Sequence, residues 1–198
     1  MKILIISGSP TLRSRSSALL DYAQQWLSQY DWEIYRVSVS EFDANVLVKA
    51  EYQHSQIQAF IQRVKQADGI IIASPVYQSS YSGVLKSVID LLPQGAFANK
   101  TVLPIMSGGS ECHRLALDYA LKPLLVTLKT EEIISGIYIS DNQSHYSEIN
   151  KKYIFSNEVI ERINNNLHNF YQSLYKNKIQ VENFTIKAKP HSIIELRG

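Results

Sequence analysis

A segment rich in hydroxyl and guanidinium side chains follows the first apolar run of the chain. After "ILIIS" (3–7), the ten residues "GSPTLRSRSS" (8–17) hold five hydroxyl side chains and two arginines. They open an amphipathic segment, which places them where a strand turns into a helix. A helix N-terminus attracts anions through its free amides and its dipole, and guanidinium groups match phosphate geometry. The pattern therefore predicts a site for a terminal monophosphate.

Two other kinds of phosphate site are excluded, because their motifs are absent. The segment lacks G-x-x-x-x-G-K-[ST] and its lysine, which a triphosphate site needs. No second and third glycine follow Gly8, so the dinucleotide fingerprint is absent as well. In a plainer alternative, Ser16 or Ser17 only caps the helix and the arginines are solvated. One serine would suffice for a cap, so five hydroxyls favour the phosphate site.

Two further segments follow apolar runs and could approach the same ligand. Residues 74–83, "SPVYQSSYSG", offer aromatic surface at Tyr77 and Tyr81 for a flat heteroaromatic ring. Residues 107–110, "SGGS", contain paired glycines that permit close backbone approach to a ligand. Packing tyrosines and a plain turn are the alternatives for these two loops.

The elements that position these loops alternate along the chain. Helical patterns separate five strand-like runs, which read "KILIIS", "WEIYRVSV", "IIIAS", "TVLPIMS" and "EIISGIYIS". This alternation predicts a parallel sheet with helices on both faces. We expect an α/β, flavodoxin-like three-layer sandwich with a five-stranded parallel sheet in the order 2-1-3-4-5. In that fold the loops after strands one, three and four meet where ligands bind.

Local signals add detail to this pattern. Gly69 is expected to end the helix before the third strand in left-handed geometry. Pro104 in the fourth strand suggests a distortion, and residues 112–129 are predicted to be helical despite Pro123. Residues 1–176 form one predicted domain. Residues 177–198 form a polar tail, either an arm packed on a neighbour or a disordered segment.

Composition narrows the class of protein. The 198 residues hold 20 basic and 18 acidic side chains, so a net charge of +2 argues against a nucleic-acid-binding surface. The single cysteine, Cys112, allows no internal disulfide, and no segment resembles a signal peptide or a membrane span. The five histidines show no metal-ligand spacing. We expect a cytoplasmic protein without a metal, a nucleic-acid partner or a membrane.

Three motifs, in order and at matching spacing, carry a resemblance to a known family. They read "ISGSP…RSRSS", "ASPVYQSSYSGVLKSVIDLLP" and "SGGSECHRLALDYALKPLL". Together they resemble the NADPH-dependent FMN reductases, most closely the branch that serves two-component alkanesulfonate monooxygenases. The resemblance runs from Met1 to about Tyr175. It implies reduction of FMN by NADPH and supply of reduced FMN to a partner monooxygenase in sulfur metabolism. It also implies a homodimer or homotetramer.

The resemblance also assigns residues to the FMN. It implies phosphate contacts from the first loop, ring contacts from the second, and contacts to the far side of the ring from the third. These are respectively Ser9, Ser14, Arg15, Ser16 and Ser17; Pro75, Val76, Tyr77 and Gln78; and Ser107, Gly108, Gly109 and Ser110. No catalytic acid or base is expected, because hydride transfer between two cofactors requires positioning.

The chain departs from the wider family at two points. Many members have P-E-Y-N where this chain has "PVYQ" (75–78), which favours the alkanesulfonate branch. Thr11 replaces an expected basic residue, for which Arg13 can compensate.

The segment "ALDYALKP" (116–123) resembles the branch's π-bulge near a subunit interface, with Tyr119 as the matching residue. Tyr119 is a possible modulator that stacks near the flavin and tunes its release; an ordinary buried tyrosine is the alternative.

Other functions share parts of the pattern. A quinone or azo reductase of the same fold would keep FMN bound, and a flavodoxin-like electron carrier would be more acidic than this chain. "GGSEC" (108–112) nearly copies the esterase motif G-x-S-x-G, but Cys112 replaces its last glycine. A redox-silent FMN-binding module is a further alternative.

Overall fold

The computed structural model describes residues 1–11 and 13–187 of the chain. Strands and helices alternate through most of this length, as the apolar patterns predict. In chain order they are β1 (Lys2–Ser7), α1 (Arg15–Leu27), β2 (Glu33–Ser38), α2 (Ala44–Val48), α3 (Ser55–Gln66), β3 (Gly69–Tyr77), β4 (Ser80–Tyr81), α4 (Gly83–Ile89), β5 (Thr101–Gly108), a π-helix (Leu117–Leu121), α5 (Lys122–Thr127), β6 (Glu132–Ile133), β7 (Ile137–Ser140), β8 (Ser144–Ser147), β9 (Lys152–Phe155) and α6 (Asn157–Lys187).

The main sheet has the predicted order but more strands than predicted. Parallel strands run β2-β1-β3-β5, and β6 and β7 both pair with the far side of β5. These two short strands together occupy the fifth place, so the order 2-1-3-4-5 is confirmed. The count of five is wrong, because the sheet has seven strands when the split and the short antiparallel β4 are included.

The split of the fifth strand has a local cause. Pro104 of β5 lies between the residues that pair with β6 and those that pair with β7. Proline has no amide hydrogen to donate to a neighbouring strand. Opposite it, Gly136 takes a φ of +87°, and a side chain there would approach the Pro104 ring to 2.9 Å. The distortion expected at Pro104 therefore appears in the neighbouring strand, which is divided into β6 and β7, while β5 itself stays continuous.

Two apolar layers enclose the sheet. Successive strand residues point to opposite faces, so an unbroken apolar run serves both layers. Leu4 and Ile70 pack on one face with Phe60 of α3, in a cluster that α4 also joins. Ile5 and Ile71 pack on the other face with Leu19 of α1, in a cluster that the apolar side of α6 completes. This three-layer arrangement fixes the carboxyl ends of the strands, where the three predicted loops emerge.

Of two local predictions, one is wrong and one is confirmed. Gly69 does not end a helix: α3 ends at Gln66, and Gly69 is a buried strand residue. A Cβ at this position would lie 2.7 Å from the Phe170 ring of α6, so close packing explains the glycine. The helix predicted over residues 112–129 is present as far as Thr127 despite Pro123. A 3₁₀ turn (Glu111–Arg114) leads into it, and the π-helix continues directly into α5 at Lys122.

The C-terminal part of the described chain contains elements that the sequence pattern did not predict. A hairpin of β8 and β9, not predicted, precedes α6. Helix α6 continues to Lys187, past the boundary predicted at residue 176, and residues 188–198 lie outside the described part. The division into 1–176 and 177–198 stays a prediction.

Within the described residues, no helix has the length and apolar character needed to cross a membrane.

Candidate active site

The first loop gathers hydroxyl groups at the start of α1. Ser14 is the N-cap, and its Oγ accepts a hydrogen bond from the Ser17 amide at 3.1 Å. The cap is therefore neither Ser16 nor Ser17. Ser14 Oγ also donates to Ser17 Oγ at 2.8 Å and lies 3.1 Å from Ser16 Oγ, while Ser7 Oγ lies 3.3 Å from Ser17 Oγ. The cluster stands beside the helix's first amides, which lack intrahelical partners.

Ser9 lies in the same loop but has local partners. Its hydroxyl donates to the Thr11 carbonyl at 2.9 Å and lies 3.2 Å from Thr11 Oγ1. The side chain is buried, whereas Thr11 and Arg13 are exposed. The structure thus brings Ser14, Ser16 and Ser17 together and leaves Ser9 bonded within the loop.

Arg15 has a partner that the sequence reading missed. Its guanidinium forms an ion pair with Asp141, the residue that follows β7. The sequence did contain a signal for this contact. Because β1 and β7 end at the same edge of the sheet, an acidic residue directly after the fifth strand lies within reach of the first loop. The ion pair joins the start of α1 to the turn that follows β7.

The first and second loops are held at a fixed separation. The Gly8 amide donates to the Ala73 carbonyl at 2.7 Å, and the Ser82 hydroxyl donates to the Gly8 carbonyl at 2.5 Å. The Ser82 amide in turn donates to Ser74 Oγ at 2.9 Å. A Cβ at Gly8 would lie 2.8 Å from the Ala73 carbonyl oxygen, so this close approach requires glycine. Ser82 is a positioning residue that the sequence did not reveal.

The second loop is a tight hairpin at the end of β3. Pro75 is buried, Val76 is half-buried, and Tyr77 and Gln78 are exposed. Gln78 and Ser79 both take positive φ values, 47° and 62°, as a two-residue turn between antiparallel strands requires. The turn therefore leaves Tyr77 and Gln78, two of the residues predicted to line the ring, open to solvent.

The third loop rests on a buried tyrosine. Ser107 and Gly108 end β5, and Ser107 pairs with Pro75, so the second and third loops leave the sheet side by side. Tyr138 of β7 lies beneath Gly108 and donates its hydroxyl to the Ser110 carbonyl. Burial raises the pKa of Tyr138 to about 12, and the nearby Glu111 carboxylate adds to the rise. Tyr138 is thus a neutral donor at ordinary pH.

A cleft of about 210 Å³ opens between the second loop and the π-helix. Ser79, His113 and Tyr119 line it, and a Cβ at the nearby Gly109 would meet no atom within 4 Å. The predicted π-bulge is confirmed, and Tyr119 is 79% exposed rather than buried. A larger cleft of about 490 Å³ lies at the opposite edge of the sheet, beside Asp68 and Lys100, away from the predicted site residues.

The donors fit a flavin mononucleotide. Clustered hydroxyls, helix amides and a guanidinium suit its phosphate, and an open glycine beside an aromatic rim suits a flat ring. In the described part of the chain, no group of three or more His, Cys, Asp or Glu side chains is placed to hold a metal ion.

Comparison with known proteins identifies the family. A family model described as NADPH-dependent FMN reductase matches residues 1–145. The chain belongs to the NADPH-dependent FMN reductase family. It is 44% identical over 174 residues to an FMN reductase (NADPH) of Pseudomonas putida, covering 88% of each chain. It is 37% identical over 193 residues to an FMN reductase (NADPH) of Escherichia coli, covering 97% of this chain and 100% of that one.

A solved structure agrees with the fold of this FMN reductase. The apo form of the NADH:FMN oxidoreductase EMOB is 32% identical, with a TM-score of 0.77 over 87% of this chain and 89% of that one. The predicted enzyme class, the flavodoxin-like fold, and FMN and NADPH as cofactors are confirmed. The roles of individual residues toward FMN stay predictions.

Proposed function

We propose that this FMN reductase treats FMN as a substrate, reduces it with NADPH and releases it to a partner monooxygenase. The partner would desulfonate organic sulfonates for sulfur assimilation. The exposure of the ring-side residues carries this proposal: Tyr77 is 47% exposed, and Gln78 and Gly109 are also open to solvent. A ring held at an open rim dissociates more readily than one enclosed by protein.

The binding roles follow from the placement of the three loops. The hydroxyl cluster and Arg15 would hold the phosphate, the second loop would line the isoalloxazine, and the third would approach its far side and the nicotinamide. The residues are Ser9, Ser14, Arg15, Ser16 and Ser17; Pro75, Val76, Tyr77 and Gln78; and Ser107, Gly108, Gly109 and Ser110. When bound, FMN and NADPH supply the hydride transfer.

The chain's contribution to the reaction is positioning. We assign no side chain as acid or base, because hydride transfer needs two rings held within reach. Amides of residues 107–110 would stabilise negative charge on reduced flavin. The bond from Tyr138 to the Ser110 carbonyl holds this loop in place.

The π-helix would face a neighbouring subunit. Leu115, Tyr119 and Val126 are 60%, 79% and 64% exposed around the π-helix, an arrangement that suits a homodimer or homotetramer. In such an oligomer Tyr119 would stack near the flavin and tune its release. This surface supports the same proposal, because a neighbouring subunit that moved over the open site would control the release of the flavin.

The test measures NADPH oxidation by flavin-stripped protein with and without added FMN. We expect oxidation only with FMN, saturating as FMN rises, and separation of flavin from protein by ultrafiltration. A rate independent of free FMN, with flavin retained at a fixed ratio, would instead support a quinone or azo reductase. Failure of FMN to bind or to promote oxidation would overturn the proposal.

A matched pair of variants locates the phosphate site. Ser14→Ala removes the hydroxyl at the start of α1 and should raise the KM for FMN while leaving the KM for NADPH unchanged. Ser28→Ala removes a hydroxyl at the other end of α1, where it donates to the Gln25 carbonyl, and should change neither value. Equal effects from the two variants would contradict the assignment.

A further inference from the structure

The two guanidinium groups of the first loop differ in their surroundings. Arg15 pairs with Asp141, whereas Arg13 is exposed and forms no ion pair with another described residue. The side chains of Arg15 and Asp141 are 25% and 56% exposed, so a ligand can reach the pair. The cation expected to bind a phosphate is therefore already in contact with an anion of the chain.

Asp141 is held in this position by its neighbours. The preceding residue, Ser140, is buried, and its hydroxyl donates to the carboxylate of Glu111, the residue after the third loop. The Ser140 amide donates to Gln143 Oε1 at 3.3 Å, and Arg162 donates to the same oxygen at 3.1 Å. These bonds fix the short 3₁₀ turn (Asp141–Gln143) that presents the carboxylate to Arg15.

We propose that Asp141 competes with the flavin phosphate for Arg15 and so lowers the affinity of the protein for FMN. This inference rests on the proposed function, in which FMN is taken up and released. A phosphate must displace the carboxylate or share the guanidinium with it. The exchange of one ion pair for another returns less free energy than a new pair, and the two anions also repel each other.

The proposal predicts an effect confined to the phosphate. Riboflavin has the same ring without the phosphate, so its binding should not depend on Asp141. A carboxylate that merely stabilised the fold would change the binding of both flavins. The comparison of FMN with riboflavin therefore separates competition at Arg15 from a general structural effect.

The experiment measures dissociation constants of FMN and riboflavin from flavin fluorescence quenching. Asp141→Asn removes the charge and keeps the side chain's size, and should tighten FMN binding about two- to fivefold, the range expected for an exposed ion pair. Riboflavin binding should not change. Asp21→Asn is the matched control, because Asp21 forms a similar exposed ion pair with Arg36 on β2, and it should leave both constants unchanged.

A double-mutant cycle tests the route through Arg15. In an Arg15→Gln background, Asp141→Asn should no longer change FMN binding. Asp141→Ser removes the same charge with a smaller side chain if the asparagine variant folds poorly.

Three results would overturn the inference. They are unchanged or weaker FMN binding in the Asp141 variants, equal tightening for FMN and riboflavin, and an effect of Asp141→Asn that persists in the Arg15→Gln background. If the wild-type protein bound no FMN and oxidised no NADPH in its presence, the proposed function itself would fail instead.

Discussion

Gly108 and Gly109 are adjacent in the sequence, but only one has room for a side chain. A Cβ at Gly108 would lie 2.7 Å from the Tyr138 hydroxyl and 3.1 Å from His113 Cβ, whereas Gly109 faces open space. Gly108→Ala should therefore displace Tyr138, weaken its bond to the Ser110 carbonyl and lower the free energy of unfolding by about 1 to 3 kcal/mol. Chemical denaturation measures this loss.

Gly109→Ala is the control for stability and a test for function. It should change the free energy of unfolding by less than about 0.5 kcal/mol, because the new methyl group meets no atom. It should still weaken FMN binding if the flavin approaches the backbone there, as proposed. Comparable destabilisation by the two variants would contradict the packing argument.

The sequence revealed the hydroxyl and guanidinium groups of the first loop, but it did not reveal the residues that hold the three loops in place. The hydroxyl cluster was visible because its members lie within residues 8–17, and local spacing is what a sequence records. The partners Ser82, Tyr138 and Asp141 come from other loops and strands. Their contacts with Gly8, Ser110 and Arg15 exist only after the sheet has assembled.

At the scale of elements, the turn between β3 and β4 contains a removable strain. Ser79 takes a φ of 62°, which costs a residue with a Cβ free energy that glycine avoids. Ser79→Gly should therefore raise the free energy of unfolding by about 0.5 to 1 kcal/mol. Thermal or chemical unfolding of the two proteins measures the difference.

Ser80 provides the matched comparison, because it is the next residue and lies in β4. Ser80→Gly should lower the free energy of unfolding by about 0.5 to 1 kcal/mol, since glycine in a strand loses more backbone entropy. If both glycine variants shifted stability in the same direction, backbone conformation would not be the deciding factor.

The apolar runs predicted the element types, and the alternation of strands and helices predicted the sheet order, because connections between parallel strands are right-handed. Interruptions were harder to predict. Gly69 resembled a helix end because glycine fits both a left-handed cap and a crowded strand, and the contact with Phe170 that decides between them is distant in sequence. The π-helix was expected only through the family resemblance, since one extra residue hardly disturbs a helical pattern.

At the scale of the whole molecule, α6 closes the second apolar layer. Its buried residues Val159, Ile163, Leu167, Phe170 and Leu174 join the cluster formed by β1, β3 and α1. The Ser173 hydroxyl also lies 2.9 Å from Thr101 Oγ1 at the start of β5. These five residues all lie before residue 178.

This placement predicts how much of the C-terminus the fold requires. A chain ending at Asn177 should fold, bind FMN and oxidise NADPH like the full chain, because every named core residue of α6 remains. A chain ending at Asn166 should be largely unfolded. It lacks Leu167, Phe170 and Leu174, and losing each large buried side chain costs about 2 to 5 kcal/mol against a total stability of about 5 to 15 kcal/mol.

Circular dichroism and FMN-dependent NADPH oxidation distinguish the outcomes for the two shortened chains. Loss of fold in the chain ending at Asn177 would show that later residues contribute to the core, and the predicted boundary at residue 176 would then be wrong. Loss of activity with the fold intact would assign the later residues to assembly or to the site. Retention of both would mean that a reductase of this kind needs α6 only as far as it covers the sheet.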